Sequence, residues 1–174
     1  MAGVAVEAIQ KKLGVQRIIR SMPNLSTKVG EGVTGWISSV DCSDRDKKDA
    51  EIIFSACGHQ FELEQESQLD ALVAISGSGP AYFFYLTQLL KEKAEEFGFT
   101  SQQATRLARH TFVGAAQSFM KSDMTSEEWV SAVKSKGGTT EAALESMNDN
   151  SFGDIFKKAV NAAKNRSEEV GCVG

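Results

Sequence analysis

Apolar and polar positions divide the chain into an alternating first third and a wholly helical remainder. Val4 to Leu13 places apolar residues at helical spacing, and Gly14 closes that helix. Gln16 to Ser21 reads as a strand, ended by Met22-Pro23-Asn24, because proline removes a ladder donor and asparagine favours turns. A glycine-spaced stretch (Gly30, Gly32, Gly35) leads to a short strand around Trp36-Ile37. Ser43, with Asp46 three residues on, caps a helix over Asp44 to Ala56, and Gln60 to Glu64 alternates as a strand should. The order α-β-β-α-β predicts the closing half of a parallel α/β sheet, too small to be a doubly wound domain by itself.

From Glu66 onward the pattern is helical. Gln68 to Ile75 forms one segment, interrupted by Ser76-Gly77-Ser78-Gly79-Pro80, with Pro80 suited to the first position of the next helix. That helix, Ala81 to Phe97, is apolar around much of its circumference and ends at Gly98. Thr100 with Gln103 makes a capping box for a helix reaching about Lys121, along which Ala104, Leu107, Ala108, Thr111, Phe112, Ala115 and Phe119 form one stripe. Thr125 with Glu128 repeats the box for a short helix through Val133. Further helices follow over Glu141 to Met147 and Phe152 to about Glu168. Two long apolar stripes exceed what a small bundle needs internally, and an obligate dimer would absorb the surplus. A monomeric bundle has the same periodicity.

Composition narrows the function classes. The 174 residues are 41% apolar and 24% charged, ordinary for a globular protein, with a formal charge of −4 that argues against a nucleic-acid surface. No apolar run approaches the roughly 20 residues that span a bilayer, so no membrane partner is expected. Met1 to Val6 lacks the basic and apolar regions of a signal peptide. Cys42, Cys57 and Cys172 have no ligand spacing, which suggests reduced thiols and a cytoplasmic location, with Cys57 at the buried end of a helix. His59 and His110 sit in no metal-binding pattern.

The candidate chemistry lies in Lys136-Gly137-Gly138-Thr139-Thr140, where one helix stops and another begins. Two glycines admit a ligand close to the backbone. Exposed N–H groups and the helix dipole suit a small carboxylate. Equally, Thr139 or Thr140 caps the helix starting near Glu141. Other motifs fail: Ser76-Gly77-Ser78-Gly79-Pro80 is not a nucleophile elbow, no P-loop occurs, and no G-x-G-x-x-G follows a strand and opens a helix. Glu92, Glu95 and Glu96 stand among lysines as a solvated helix face.

Three segments together carry a resemblance. Met22-Pro23-Asn24, Ser76-Gly77-Ser78-Gly79-Pro80-Ala81-Tyr82 and Gly137-Gly138-Thr139-Thr140-Glu141-Ala142-Ala143-Leu144 resemble pyrroline-5-carboxylate reductase in order and spacing, from near Gly3 to the last helix. The resemblance implies a mixed fold: residues 1–65 as the closing, partial α/β part of a Rossmann-like NAD(P)-binding domain, and 66–174 as an all-α dimerisation and substrate-binding domain. It implies NADPH- or NADH-dependent reduction of a cyclic imine carboxylate to proline in a homodimer or higher homo-oligomer, with the helices from Ala81 and Thr100 packed across the two-fold axis. By that likeness Thr140 offers its hydroxyl to the imine nitrogen, Ser135, Gly137, Gly138 and Thr139 hold the carboxylate, and Met22, Pro23 and Asn24 lie near the nicotinamide.

Departures accompany the resemblance. The family's first strand and glycine fingerprint have no counterpart, so a truncated chain that binds cofactor abnormally and is inactive alone is expected. Lys134 and Lys136 replace a small or hydroxyl residue and a proline in the substrate loop, and Leu25-Ser26 lacks a second proline. The alternative is a non-catalytic assembly module derived from the same family.

Overall fold

The computed structural model describes residues 4–171, so Cys172 and the first three residues lie outside the described part. The described chain forms two compact units: one from the start through Pro80 together with the residues from Lys158 onward, the other Ala81–Lys157.

In the first unit, helix α1 (Val6–Leu13) ends at Gly14, which donates its N–H to the Gln10 carbonyl and takes a left-handed φ of 68° that turns the chain out of the helix. Three strands follow, β1 (Ile19–Pro23), β2 (Gly32–Ser38) and β3 (Gly58–Glu62), in the order β1-β2-β3. The sheet is mixed rather than the parallel one expected. β2 and β3 are parallel, but β1 and β2 are antiparallel, with Ile19 opposite Ser38 and Pro23 opposite Thr34. The connection lengths explain the difference. Residues 24–31 hold only a 3-10 turn (Leu25–Val29), too short for a parallel crossover, whereas helix α2 (Asp44–Ser55) bridges β2 to β3.

Strand bounds also shift. β1 starts later than expected and runs through Met22 and Pro23, because an edge strand tolerates proline. β3 begins at Gly58, which brings His59 inside the strand opposite Val33. Cys57 is exposed rather than buried: α2 has ended at Ser55, and Cys57 lies in the connection, its carbonyl accepting from Gly32 N–H at 2.9 Å.

Trp36 is the centre of this unit, at 0% exposure, with Leu69 and Ala74 at 1%. Its indole N–H donates to Gln60 Oε1 at 2.7 Å and its ring lies 6.2 Å from Phe54. Glu66 joins α1 to β1, accepting from Val6 N–H at 2.7 Å and from Arg20 at 2.6 Å. Ser167, in helix α8 (Phe152–Gly171), donates its hydroxyl to Asp70 of α3 (Gln68–Leu72) at 2.6 Å.

The expected break at residues 76–80 is absent. α3 runs into a π turn over Val73–Gly77, closed by Ser78 N–H to the Val73 carbonyl at 2.8 Å, and α4 (Gly79–Glu96) starts at once, with Pro80 as its second residue. A proline in an ordinary helix clashes with the carbonyl four residues back; the widened turn precedes Pro80 and makes room for it.

The second unit holds most of α4, then α5 (Ser101–Met120), α6 (Ser126–Val133), α7 (Thr139–Asp149) and the start of α8. Both expected capping boxes form reciprocally, Thr100 with Gln103 and Thr125 with Glu128. Phe83 stacks on Phe112 at 5.7 Å, and Tyr82 meets Phe156 edge-on at 5.5 Å. No described helix is long and apolar enough to cross a membrane.

Candidate functional site

The loop between α6 and α7 is a tight turn. Gly138 N–H donates to the Ser135 carbonyl at 2.9 Å, and Gly137 takes a φ of 71°, the left-handed region that glycine reaches without a Cβ clash. A Cβ on Gly138 would collide with the Ser135 hydroxyl, so the two residues pack as one unit.

α7 begins at Thr139, two residues before the expected start, with Gly138 as an extended N-cap that makes no side-chain cap. Thr139 and Thr140 are therefore the first two helical residues, and neither caps the helix. The first intrahelical bond runs from Ala142 N–H to the Gly138 carbonyl at 3.2 Å, so the N–H groups of Thr139, Thr140 and Glu141 precede the helical ladder. Ser135 and Thr139 are exposed, and Gly138 and Thr140 are half-buried.

Glu141 plays a part that its place in the sequence pattern did not announce. One carboxylate oxygen accepts from Gly137 N–H at 2.6 Å and the other lies 3.3 Å from Lys134 Nζ. The Gly137 N–H, and after it the Lys134 ammonium, hold this carboxyl below the usual glutamate range. The available signal was an acidic residue in a helix's first turn, four residues after a glycine. Lys134 is thus engaged by Glu141, whereas Lys136 sits exposed at the tip of the turn.

In the first unit, two other segments meet. Asn24 Nδ2 donates to Ser76 Oγ at 3.1 Å, while Asn24 Oδ1 accepts from Ser26 N–H at 3.2 Å and Val33 N–H at 3.1 Å. One side chain therefore joins the end of β1, the start of β2 and the π turn. Met22 is half-buried and Pro23 exposed; a Cβ on Gly77 would lie 3.6 Å from the Met22 methyl. The Met-Pro-Asn and Ser-Gly-Ser-Gly-Pro segments thus pack against each other, and residues 135–140 belong to the second unit.

Gly30-Glu31-Gly32-Val33-Thr34-Gly35 has the spacing of a dinucleotide fingerprint, but its geometry serves packing. Gly30, at φ 78°, closes the 3-10 turn and the stretch then enters β2 rather than a helix. A Cβ on Gly32 would strike Thr27, and one on Gly35 would strike Leu72. A pyrophosphate needs a helix N-terminus at this point, and none follows.

The comparisons agree on one family. The model of pyrroline-5-carboxylate reductase dimerisation matches residues 66–170. The chain is 37% identical to the pyrroline-5-carboxylate reductase of Pseudomonas aeruginosa over 97% of its own length and 62% of that protein's. It is 34% identical to the Mycobacterium tuberculosis enzyme of the same name, covering 98% of this chain and 63% of that one. Among solved structures, a pyrroline-5-carboxylate reductase from Coxiella burnetii superposes with a TM-score of 0.89 at 36% identity, covering 97% of this chain and 63% of the other. The Plasmodium falciparum pyrroline carboxylate reductase with NADP bound superposes with a TM-score of 0.86 at 30% identity, covering 98% and 68%. The chain spans under two thirds of the length of the curated relatives it matches. With the family model covering more than half of its residues, the chain belongs to the pyrroline-5-carboxylate reductase family.

Proposed function

We propose that this chain carries the dimerisation and substrate-binding part of an NAD(P)H-dependent reductase that converts 1-pyrroline-5-carboxylate to L-proline. The observation that carries the reading is 37% identity over 97% of the chain with a protein of that name. We place the division between a Rossmann-like part and the dimerisation domain at residues 65/66, where the family match begins. A cytoplasmic location belongs to the same reading.

The loop geometry supports defined roles. Thr140, half-buried at the second helical position, presents its hydroxyl to the imine nitrogen. The carboxylate rests on the Thr139 and Thr140 N–H groups and the Ser135 hydroxyl, with Gly138 allowing close approach. Gly137 shapes the turn rather than donating, since its N–H is held by Glu141. When bound, the nicotinamide supplies the hydride; the chain's own residues orient the imine and hold its charge. Met22 and Pro23 would face the nicotinamide end, with Asn24 fixing their backbone through Ser76 and Val33.

Exposed apolar residues support a homodimer. Phe84 is 55% exposed, Tyr85 60% and Leu90 51% along α4. A shallow groove on α5 is lined by Phe99, Gln103, Arg106, Leu107, His110 and Thr111, and by none of the loop residues. In this reading α4 and α5 pack across the two-fold axis. A second reading, a non-catalytic assembly module, is favoured by one observation: Lys136 stands exposed at the tip of the loop, where the family resemblance implies a proline.

An NMR titration with L-proline, in the wild type and in Thr140→Ala, separates the readings. Shifts at residues 135–140 that vanish in the variant support the substrate site. Because Thr140 caps nothing, the variant is expected to keep its thermal midpoint, so lost binding reports the site rather than the fold. A wild-type dimer that ignores proline at high concentration favours the assembly module.

A further inference from the structure

We propose that Lys134 and Glu141 form a charge-neutral clasp that tunes the Ser135–Gly138 turn for a carboxylate ligand, Glu141 by holding the Gly137 N–H and Lys134 by cancelling the Glu141 charge. The inference rests on the reading of this loop as a substrate site, and both residues are positioning residues.

The geometry demands such a pair. Glu141 stands in the first turn of α7, beside the N–H groups that would receive a ligand carboxylate. A carboxylate there is favoured by the helix dipole and therefore competes with any incoming anion. Its two oxygens are divided between tasks: one takes the Gly137 N–H at 2.6 Å, the other faces Lys134 at 3.3 Å. The first contact pins the left-handed residue of the turn and occupies its N–H. The second removes the repulsion that the first would otherwise impose. A glutamate is ionised across the neutral range, and the Gly137 contact and then Lys134 lower its pKa further, so its charge must be cancelled whenever a carboxylate binds.

Charge cancellation makes a prediction that a purely structural role does not. In the full chain at low salt, Lys134→Ala is expected to weaken L-proline binding about threefold, the size of a partly exposed ion-pair effect. The loss should fade at about 0.5 M salt, where the screening length is only a few ångström. Glu141→Gln keeps an acceptor for the Gly137 N–H and removes the charge, so Lys134→Ala combined with Glu141→Gln should return to wild-type affinity. Unchanged binding in Lys134→Ala at low salt, or no recovery in the double variant, would overturn the clasp while leaving a Thr140-dependent site intact. A wild type without any response to proline, or a response that survives Thr140→Ala, would instead remove the site reading and the clasp with it.

Discussion

The two units bury their apolar residues to different degrees. The sheet-bearing unit encloses Trp36 and Leu69 almost completely, and the Trp36 indole N–H is satisfied by Gln60. The helical unit has most of the large aromatic side chains, yet its buried hydrophobic residues are Ala104 and Ala108, while Phe83, Phe84 and Ile155 are 54%, 55% and 59% exposed. Its Trp129 has a buried Nε1 with no partner among the described residues. A sheet with a helix on it closes a small core by itself. Helices with apolar faces on several sides do not, and exposed apolar faces are the kind of feature that association covers.

The largest effect is expected at the centre of the first unit. Trp36→Ala should cost about 3–5 kcal/mol in a urea melt, from the lost packing and the stranded Gln60 amide. It also leaves Trp129 as the sole tryptophan, so its fluorescence reports the helical unit alone. Retention of the Trp129 transition at its wild-type midpoint would sharpen the contrast between the units; a shared, shifted transition would break it.

Phe84→Glu tests the other side of the comparison. A charge placed on the exposed α4 face should weaken self-association by about 2 kcal/mol or more and shift the mass by light scattering from dimer towards monomer at micromolar concentration. An unchanged mass would show that α4 lies outside the contact.

A smaller effect, about 1 kcal/mol, is expected for Thr125→Ala, read as faster amide exchange at the start of α6. The same cap is acid-sensitive. The Thr125 N–H and then its hydroxyl lower the Glu128 pKa, so the cap's contribution is complete above the ordinary glutamate value and is lost as pH falls through the depressed one. Protection of the first α6 amides, measured against the intrinsic exchange rate at each pH, should therefore fall on acidification in the wild type and change little in Glu128→Gln. The smallest effect belongs to Trp129→Phe, within about 0.5 kcal/mol, because the deleted N–H had no partner to lose.

Local chemistry was legible wherever neighbouring residues decide the outcome. The Ser43, Thr100 and Thr125 caps form with the partners that spacing names, and Gly14 ends α1 in the left-handed conformation. The apolar stripes of α4, α5 and α8 were readable for the same reason, since helical periodicity is a property of a single segment. A loop between α6 and α7, and the coincidence of three motifs, needed nothing beyond the order of residues, although the loop ends at Gly138 rather than Thr140.

Contacts between distant segments were a different matter. The antiparallel pairing of β1 and β2 depends on which neighbour a strand finds, and the extension of β1 through Pro23 depends on that strand's edge position. The Ser-Gly-Ser-Gly-Pro stretch carries every local mark of a break, yet the widened turn around it keeps the helix nearly continuous. Asn24 reads as a ligand contact in its motif; only folding shows its amide divided among β2, the 3-10 turn and Ser76. Glu141 reads as an ordinary first-turn acid until the chain turns Gly137 and Lys134 towards its two oxygens. Periodicity and capping are set within a few residues, whereas pairing partners, packing space and shared carboxylates are set by where the backbone returns, which no single segment encodes.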